Sequence, residues 1–295
     1  MAGKIIDGKQ IAADIRAELK KEVAELGKKG IVPGLGVILV GENPASKTYV
    51  GAKERACEEV GIFCDNNRLP EETSQEELLA IVHKMNGDDK INGILVQLPL
   101  PKHLNENEAL LAVDPNKDVD GFHPLSTGKI LAGLETFLSC TPFGILKMLK
   151  RSGIKTEGAN VVIVGRSYIV GKPLANMLIQ DNPEANATVT VCHNHTKNLS
   201  QHTLQADIIV VETYQPNTIT ADMVKDGVVV IDVGANRIKD ETRKSGYRLV
   251  GDVDFEAVKE KASFITPVPG GVGPMTVTML LYNTVESAKR AVAAK

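Results

Sequence analysis

The sequence predicts an α/β protein of two domains, and three observations carry that prediction. Short apolar runs alternate with stretches whose apolar residues recur at helical spacing, the pattern of parallel sheets covered by helices. The chain has 295 residues, at the upper end of what one hydrophobic core serves, since single cores seldom grow beyond about 250–300 residues. In "VVIVGRSYIVGKPLANMLI" (161–179) a strand, a tight turn and a helix follow in the order that sets a helix N-terminus against a phosphate.

The N-terminus, "MAGKIIDGKQIAADIRAELKKEV", passes directly into a charged helical pattern. Buried strands are expected at "LGVILVG" (35–41), "GILVQLPL" (93–100), "NVVIVG" (160–165), "ATVTVC" (187–192), "ADIIVV" (206–211) and "GVVVIDVG" (227–234). Helical spacing marks 44–60, 74–86, 170–180 and 275–293. A helix from about Pro142 to Arg151 stops at Gly153 before a new strand. This puts an N-terminal catalytic domain at 1–148 and a Rossmann-like domain at 149–270, followed by a C-terminal helical segment at 271–295. That last segment is apolar on more than one side, which suits a helix returning to the first domain.

Composition narrows the function. A hydrophobic fraction of 43%, a charged fraction of 24% and a net charge of -3 lack the basic excess of a nucleic-acid binder. No apolar run approaches the roughly 20 residues that span a bilayer, so a cytoplasmic protein without nucleic-acid or membrane partners is expected. Cys57, Cys64, Cys140 and Cys192 form no C-x-x-C pair and have no zinc-like His spacing, so they read as reduced and structural, with no metal site.

Several stretches carry candidate chemistry. In "SKTYVGAKERA" Tyr49 and Lys53 stand one helical turn apart on one face. By itself the pair is also ordinary helix packing, with the lysine methylenes on apolar surface and the ammonium in water. Gln97 ends a buried strand in "VQLPLPKHL", where an unpaired amide would cost about 1–3 kcal/mol. "NKDVDGFHP" holds Asp118 and Asp120 in a loop, where they serve either a ligand or the turn itself. "TPVPGGVGPMT" (266–276) combines stiffening prolines with glycines that let backbone approach a ligand. The turn at Gly165 has Ser167 and Val170 where the dinucleotide fingerprint has glycines, so a plain βα turn is the competing reading. The strand ending at Cys192 carries no acid for a ribose hydroxyl but is followed by His193, His195 and Lys197, and Arg166 stands in the first turn; this favours NADP, with NAD the weaker alternative.

Together "SKTYVGAKERA", "VQLPLPKHL", "DVDGFHP", "CTPFGI", "GRSYIVGKP", "GDVDF" and "PVPGGVGPMT" resemble the bifunctional methylenetetrahydrofolate dehydrogenase/cyclohydrolase family, in order and from about Ile5 to the last helix. The resemblance implies oxidation of 5,10-methylenetetrahydrofolate to 5,10-methenyltetrahydrofolate with NADP, hydrolysis to 10-formyltetrahydrofolate, and a homodimer. It implies catalytic roles for Lys53, Tyr49, Gln97 and Asp120, with Lys53 in proton transfer, Gln97 holding its amine and Asp120 gripping the pterin. By the same match Val96, Leu98, Pro269, Gly270, Gly271, Val272 and Gly273 line the folate site between the domains. Thr141, Gly165, Arg166, Ser167, Asn194 and Ala235 take cofactor positions. The chain departs from the family pattern at Asn194, at Tyr214 where a glycine is usual, and at Ala235, Ser126 and Ser139. A catalytically reduced folate-binding relative and a shikimate-type two-domain dehydrogenase are the alternatives.

Overall fold

The computed structural model describes residues 2–243 and 246–293; Ala294 and Lys295, at the end of the expected 271–295 segment, lie outside them. In chain order the first elements are β1 (Lys4–Ile5), α1 (Gly8–Lys28), β2 (Gly34–Val40), α2 (Pro44–Val60), β3 (Phe63–Leu69), α3 (Gln75–Asn86), β4 (Gly93–Val96), α4 (Glu106–Leu111), α5 (Pro124–Leu131) and α6 (Cys140–Arg151). The chain continues through β5 (Asn160–Val164), α7 (Gly171–Leu178), β6 (Thr188–Cys192), α8 (Leu199–Thr203), β7 (Ile208–Val211) and β8 (Val229–Asp232). It ends with β9 (Asn236–Lys239), β10 (Tyr247–Val250), α9 (Phe255–Lys259), β11 (Phe264–Ile265) and α10 (Val272–Ala293).

Two compact units result. One takes the chain up to Ala12 with Thr141–Thr276, the other Ala13–Cys140 with the residues from Val277 onward. The changeover therefore falls at Cys140/Thr141 rather than at 148/149, because α6 packs with the later residues. Gly144 lies so close to Met275 that a Cβ there would sit 2.8 Å from the methionine Cβ.

In the Ala13–Cys140 unit a three-stranded parallel sheet runs β3-β2-β4. All seven residues of β2 and all four of β4 are buried, as expected of strands covered on both faces. Their side chains Ile38, Val40, Ile94 and Val96 form a core with Leu78, Val82 and Met85 of α3. Helix α2 starts where the Asn43 side chain accepts from Ala45 N–H and Ser46 N–H, with Pro44 at the first position. Ser74 and Glu77 form a capping box on α3. The apolar run at 93–100 leaves the sheet after Val96, since Pro99 has no N–H to give a ladder. Strand β3 reads FCDNNRL and has no apolar run; it forms because it is an edge, needing only β2 as partner.

From Val277 onward α10 returns to this unit, as the sequence predicts. Buried Asn283 donates through Nδ2 to Val119 O (2.8 Å) and Leu138 O (2.9 Å), and Ser287 Oγ donates to Asn92 O (2.6 Å).

The other unit holds a six-stranded parallel sheet in the order β1-β11-β8-β7-β5-β6, with β9 and β10 as a separate antiparallel pair. Its core joins Val162, Val164, Ile209, Val211, Val230 and Ile265. From β5 the chain places β6 on one side and β7 on the other, so the order reverses between β5 and β7. In open parallel sheets, ligands bind at such a reversal, beyond the carboxyl ends of the strands. Among the described residues no helix is long and apolar enough to cross a membrane.

Replacing Asn283 by Leu removes both donors, leaving Val119 O with only the Cys140 thiol and taking from Leu138 O the bond that Asn283 gives it. Urea unfolding of Asn283→Leu is expected to show a loss of about 2–4 kcal/mol, and an unchanged midpoint would contradict the bridging role.

Candidate active site

Lys53 projects from the buried side of α2 and is only 9% exposed. Its Nζ donates to Gln97 Oε1 at 2.9 Å. Gln97 is the first residue after β4, and its N–H still donates to Ile38 O (2.9 Å), which fixes it to the end of β2. The amide is oriented because Nε2 donates to Leu98 O at 2.6 Å, leaving Oε1 for the lysine.

Burial pushes the Lys53 amine below the ordinary lysine pKa; attraction to Asp120 opposes this and is the smaller effect. Burial likewise pushes Asp120 above the ordinary carboxylate value, against the pull of Lys53 and a hydrogen bond from Cys140. Each group is therefore moved toward its uncharged form. The Cys140 thiol, raised well above its usual range by burial, lies within reach of both Asp120 and Val119 O (3.3 Å) and has one proton to share.

The loop that carries Asp120 is fixed from its neighbours. Asp118 is buried, and its carboxylate accepts from Ser126 Oγ (2.7 Å), His123 N–H (2.9 Å) and Phe122 N–H (3.1 Å). Burial still pushes it up to about 6. Gly121 adopts φ 73°, and a Cβ there would meet Ser139 N at 2.6 Å, so only glycine fits. Ser139 Oγ closes the contact by donating to Gly121 O (2.8 Å). Of the two acids in this loop, Asp118 ties the turn together and Asp120 faces the lysine. Read from the residues alone, the two acids look alike, and the family resemblance singles out Asp120; neither reading found Ser126, Ser139 and Asn283 as supports, the two serines standing out only as departures from the family pattern.

Tyr49 shares the helix side of Lys53 but is 53% exposed. Val96 turns its side chain into the core, and Leu98 packs against that core from its edge. In the other unit the segment 269–273 opens α10: Gly270 has φ 113° and its carbonyl accepts from Lys9 N–H at 3.1 Å.

The expected cofactor residues gather at the β5/β7 reversal and the adjoining end of β6. Gly165 follows β5 with φ 149°, and a Cβ there would meet Glu212 O at 2.5 Å. Ser167 Oγ donates to Glu212 Oε2 (2.7 Å) and accepts from Val170 N–H (3.0 Å) at the start of α7. Exposed Arg166 donates to Asn194 Oδ1 at 3.4 Å, next to His193 and His195, whose rings meet edge to face. Thr141 lies apart from these, its hydroxyl 2.9 Å from that of Thr276, and Ala235 is exposed after β8. Glu212 was not expected. It is a lone acid in an apolar strand end, and nothing in its spacing marks it.

Two family models match the chain. Residues 6–120 match the model for the catalytic domain of tetrahydrofolate dehydrogenase/cyclohydrolase, and residues 139–292 match its NAD(P)-binding domain. The chain is 54% identical over 287 residues to the bifunctional protein FolD of Geotalea uraniireducens, covering 97% of this chain and 99% of that one. The Campylobacter jejuni FolD crystal structure superposes with a TM-score of 0.93 at 52% identity, covering 98% and 100% of the two chains. The Trypanosoma brucei enzyme, solved with NADP cofactor and an inhibitor, gives 0.93 at 38% identity and 99% coverage of each.

Because Asp120 raises the Lys53 pKa from its burial-depressed value, Asp120→Asn is expected to lower it further. Labelling of Lys53 by an amine-specific reagent across pH, read by peptide mass spectrometry, measures this; a rise or no change would mean that the two side chains do not share charge.

Proposed function

The chain belongs to the tetrahydrofolate dehydrogenase/cyclohydrolase family, and we infer from that membership and from the site geometry how its residues carry the chemistry. The protein oxidises 5,10-methylenetetrahydrofolate to 5,10-methenyltetrahydrofolate with NADP and hydrolyses the product to 10-formyltetrahydrofolate. The observation that carries the residue assignment is the buried Lys53 amine held on Gln97 Oε1 at 2.9 Å beside Asp120.

A permanent ammonium would repel the methenyl cation, so an amine biased toward neutrality by burial is what the hydrolysis requires. Water adds to the methenyl carbon as Lys53 Nζ takes one of its protons. The ammonium so formed is stabilised by Gln97 Oε1 and by the Asp120 charge. It then returns the proton to the ring nitrogen as the carbon–nitrogen bond breaks, while the hydroxyl left on the carbon releases its proton to solvent and becomes the formyl C=O, so that the amine is restored and one proton is released overall. Asp120 accepts hydrogen bonds from the donor edge of the pterin, and Tyr49, more than half exposed, stands as a wall of the folate site.

NADP, when bound, accepts the hydride that leaves the one-carbon bridge, and the protein contributes position. The residues present fit it. Gly165, at φ 149° and packed against Glu212 O, lets the chain turn sharply after β5, and Arg166 with Asn194, His193, His195 and Lys197 offers donors, with no acid, where a ribose phosphate would lie. Thr141 and Ala235 complete the proposed cofactor set, whereas Val96, Leu98 and the Pro269–Gly273 segment belong to the proposed folate site. The four cysteines are free thiols, in keeping with a cytoplasmic enzyme.

The same reading includes a homodimer, and the feature that supports it is β3. This seven-residue edge pairs only with β2, and an open edge offers backbone groups to a second chain. Asn66 Oδ1 and Asn67 Nδ2 on it are buried without a hydrogen-bond partner.

Lys53→Met keeps volume and removes the amine. Methenyl hydrolysis, followed by loss of its absorbance, is expected to fall about 10²- to 10⁴-fold while folate still binds; near-normal hydrolysis would remove Lys53 from proton transfer. Light scattering after gel filtration should give the mass of two chains for the wild type and of one for Asn67→Lys, and a monomeric wild type would rule the dimer out.

A further inference from the structure

Glu212 is the first residue after β7, and Gly165 to Ser167 directly follow β5. The two segments therefore face each other across the reversal of strand order in the six-stranded sheet. Glu212 is 4% exposed. Ser167 Oγ donates to its Oε2 at 2.7 Å and Tyr214 Oη to its Oε1 at 3.3 Å. Neither partner is a cation, so the carboxylate has no compensating charge in these bonds. Tyr214 is itself held in place, in the left-handed region at φ 55°, by its N–H donating to Asp252 Oδ2 at 2.9 Å.

We propose that Glu212 is an affinity-setting residue for the dinucleotide: its carboxylate, aimed by Ser167 and Tyr214 at the phosphate turn, opposes the cofactor's phosphates, so that NADP binding tightens whenever this one charge is removed. The proposal rests on the reading that Gly165, Arg166 and Ser167 hold the cofactor. Its physical basis is Coulomb repulsion in a partly desolvated crevice, where an uncompensated charge acts more strongly than in water. Burial raises the Glu212 pKa, helped by the like charge of Asp252 and opposed by hydrogen bonds from Ser167, Tyr214 and Gly171 N–H. Besides Asp252, the charged or titratable groups near the turn include Arg166 within it, Lys172 in the first turn of α7, whose N–H donates to Ser167 O at 3.0 Å, and His193, His195 and Lys197 after β6. A raised carboxylate pKa means that protonation as pH falls relieves the repulsion at a higher pH than for an ordinary glutamate.

The test is NADP binding measured without folate, by calorimetry, for the wild type and for Glu212→Gln, Glu212→Asp and Arg166→Ala. Glu212→Gln keeps an acceptor for Ser167 and is expected to bind NADP roughly five- to twentyfold more tightly at pH 8. Its advantage over the wild type should shrink steadily as the pH is lowered. Glu212→Asp keeps the charge and should bind close to the wild type, and Glu212→Ala substitutes for the glutamine variant if that variant fails to fold. A ratio near one at every pH, or equal tightening by Asp and Gln, overturns the proposal. Arg166→Ala separates the two levels: if it leaves NADP affinity unchanged, the reading of the turn fails, whereas weakened binding with no Glu212 effect sinks only the inference.

Discussion

The hydrolysis proposed for this protein depends on keeping the Lys53 amine out of water. An ammonium transferred into a protein interior loses more solvation than one nearby carboxylate returns, and here the balance runs that way, since burial of Lys53 outweighs Asp120. Everything around the amine maintains that imbalance without abandoning the group. Gln97 supplies one neutral acceptor, enough to fix the nitrogen in place and too little to hold it charged. The amide of Gln97 is in turn committed at both ends, so it cannot rotate to present its NH₂ group without losing the bond to Leu98 O.

The two sheets solve the placement problem in the same way. In β3-β2-β4 and in the six-stranded sheet alike, the groups that matter follow directly from strand ends: Gln97 after β4, Gly165 after β5, Glu212 after β7. A parallel sheet buried on both faces has its backbone and core committed, and its free chemistry is confined to the loops at the carboxyl ends. This is why both units can keep almost wholly apolar strands and still be sites.

How far the sequence exposed this follows from what each part depends on. Strands β2, β5, β7 and β8 were legible because double-sided burial demands unbroken apolar runs, and α2 and α3 because caps and spacing are local. Strand β3 was hidden, since an edge with one partner tolerates FCDNNRL. Nor could local pattern reveal that β1 joins β11, with Lys4 opposite Phe264. Lys53, Gln97 and Asp120 came from motifs taken together, whereas the part played by Asp118 needed coordinates, because an acid in a loop shows its structural job only when its donors, here Ser126 Oγ and two backbone N–H groups, are known.

The "GDVDF" motif shows the same limit from the other side. Its Asp252 is fully buried, with Oδ2 accepting from Thr213 N–H (2.6 Å) and Tyr214 N–H (2.9 Å) and Oδ1 from Asn236 Nδ2 (2.8 Å). Asp252 is held in turn by Asp232, pushed up to about 6 by burial, whose Oδ1 accepts the Asp252 N–H at 3.0 Å. The motif is thus an anchor for the segment after β7, joined to the turn after β5 by hydrogen bonds through Tyr214, Glu212 and Ser167. A motif found by resemblance can mark the scaffold of a turn, while the buried acid that the scaffold holds there, Glu212, lies outside every matching motif.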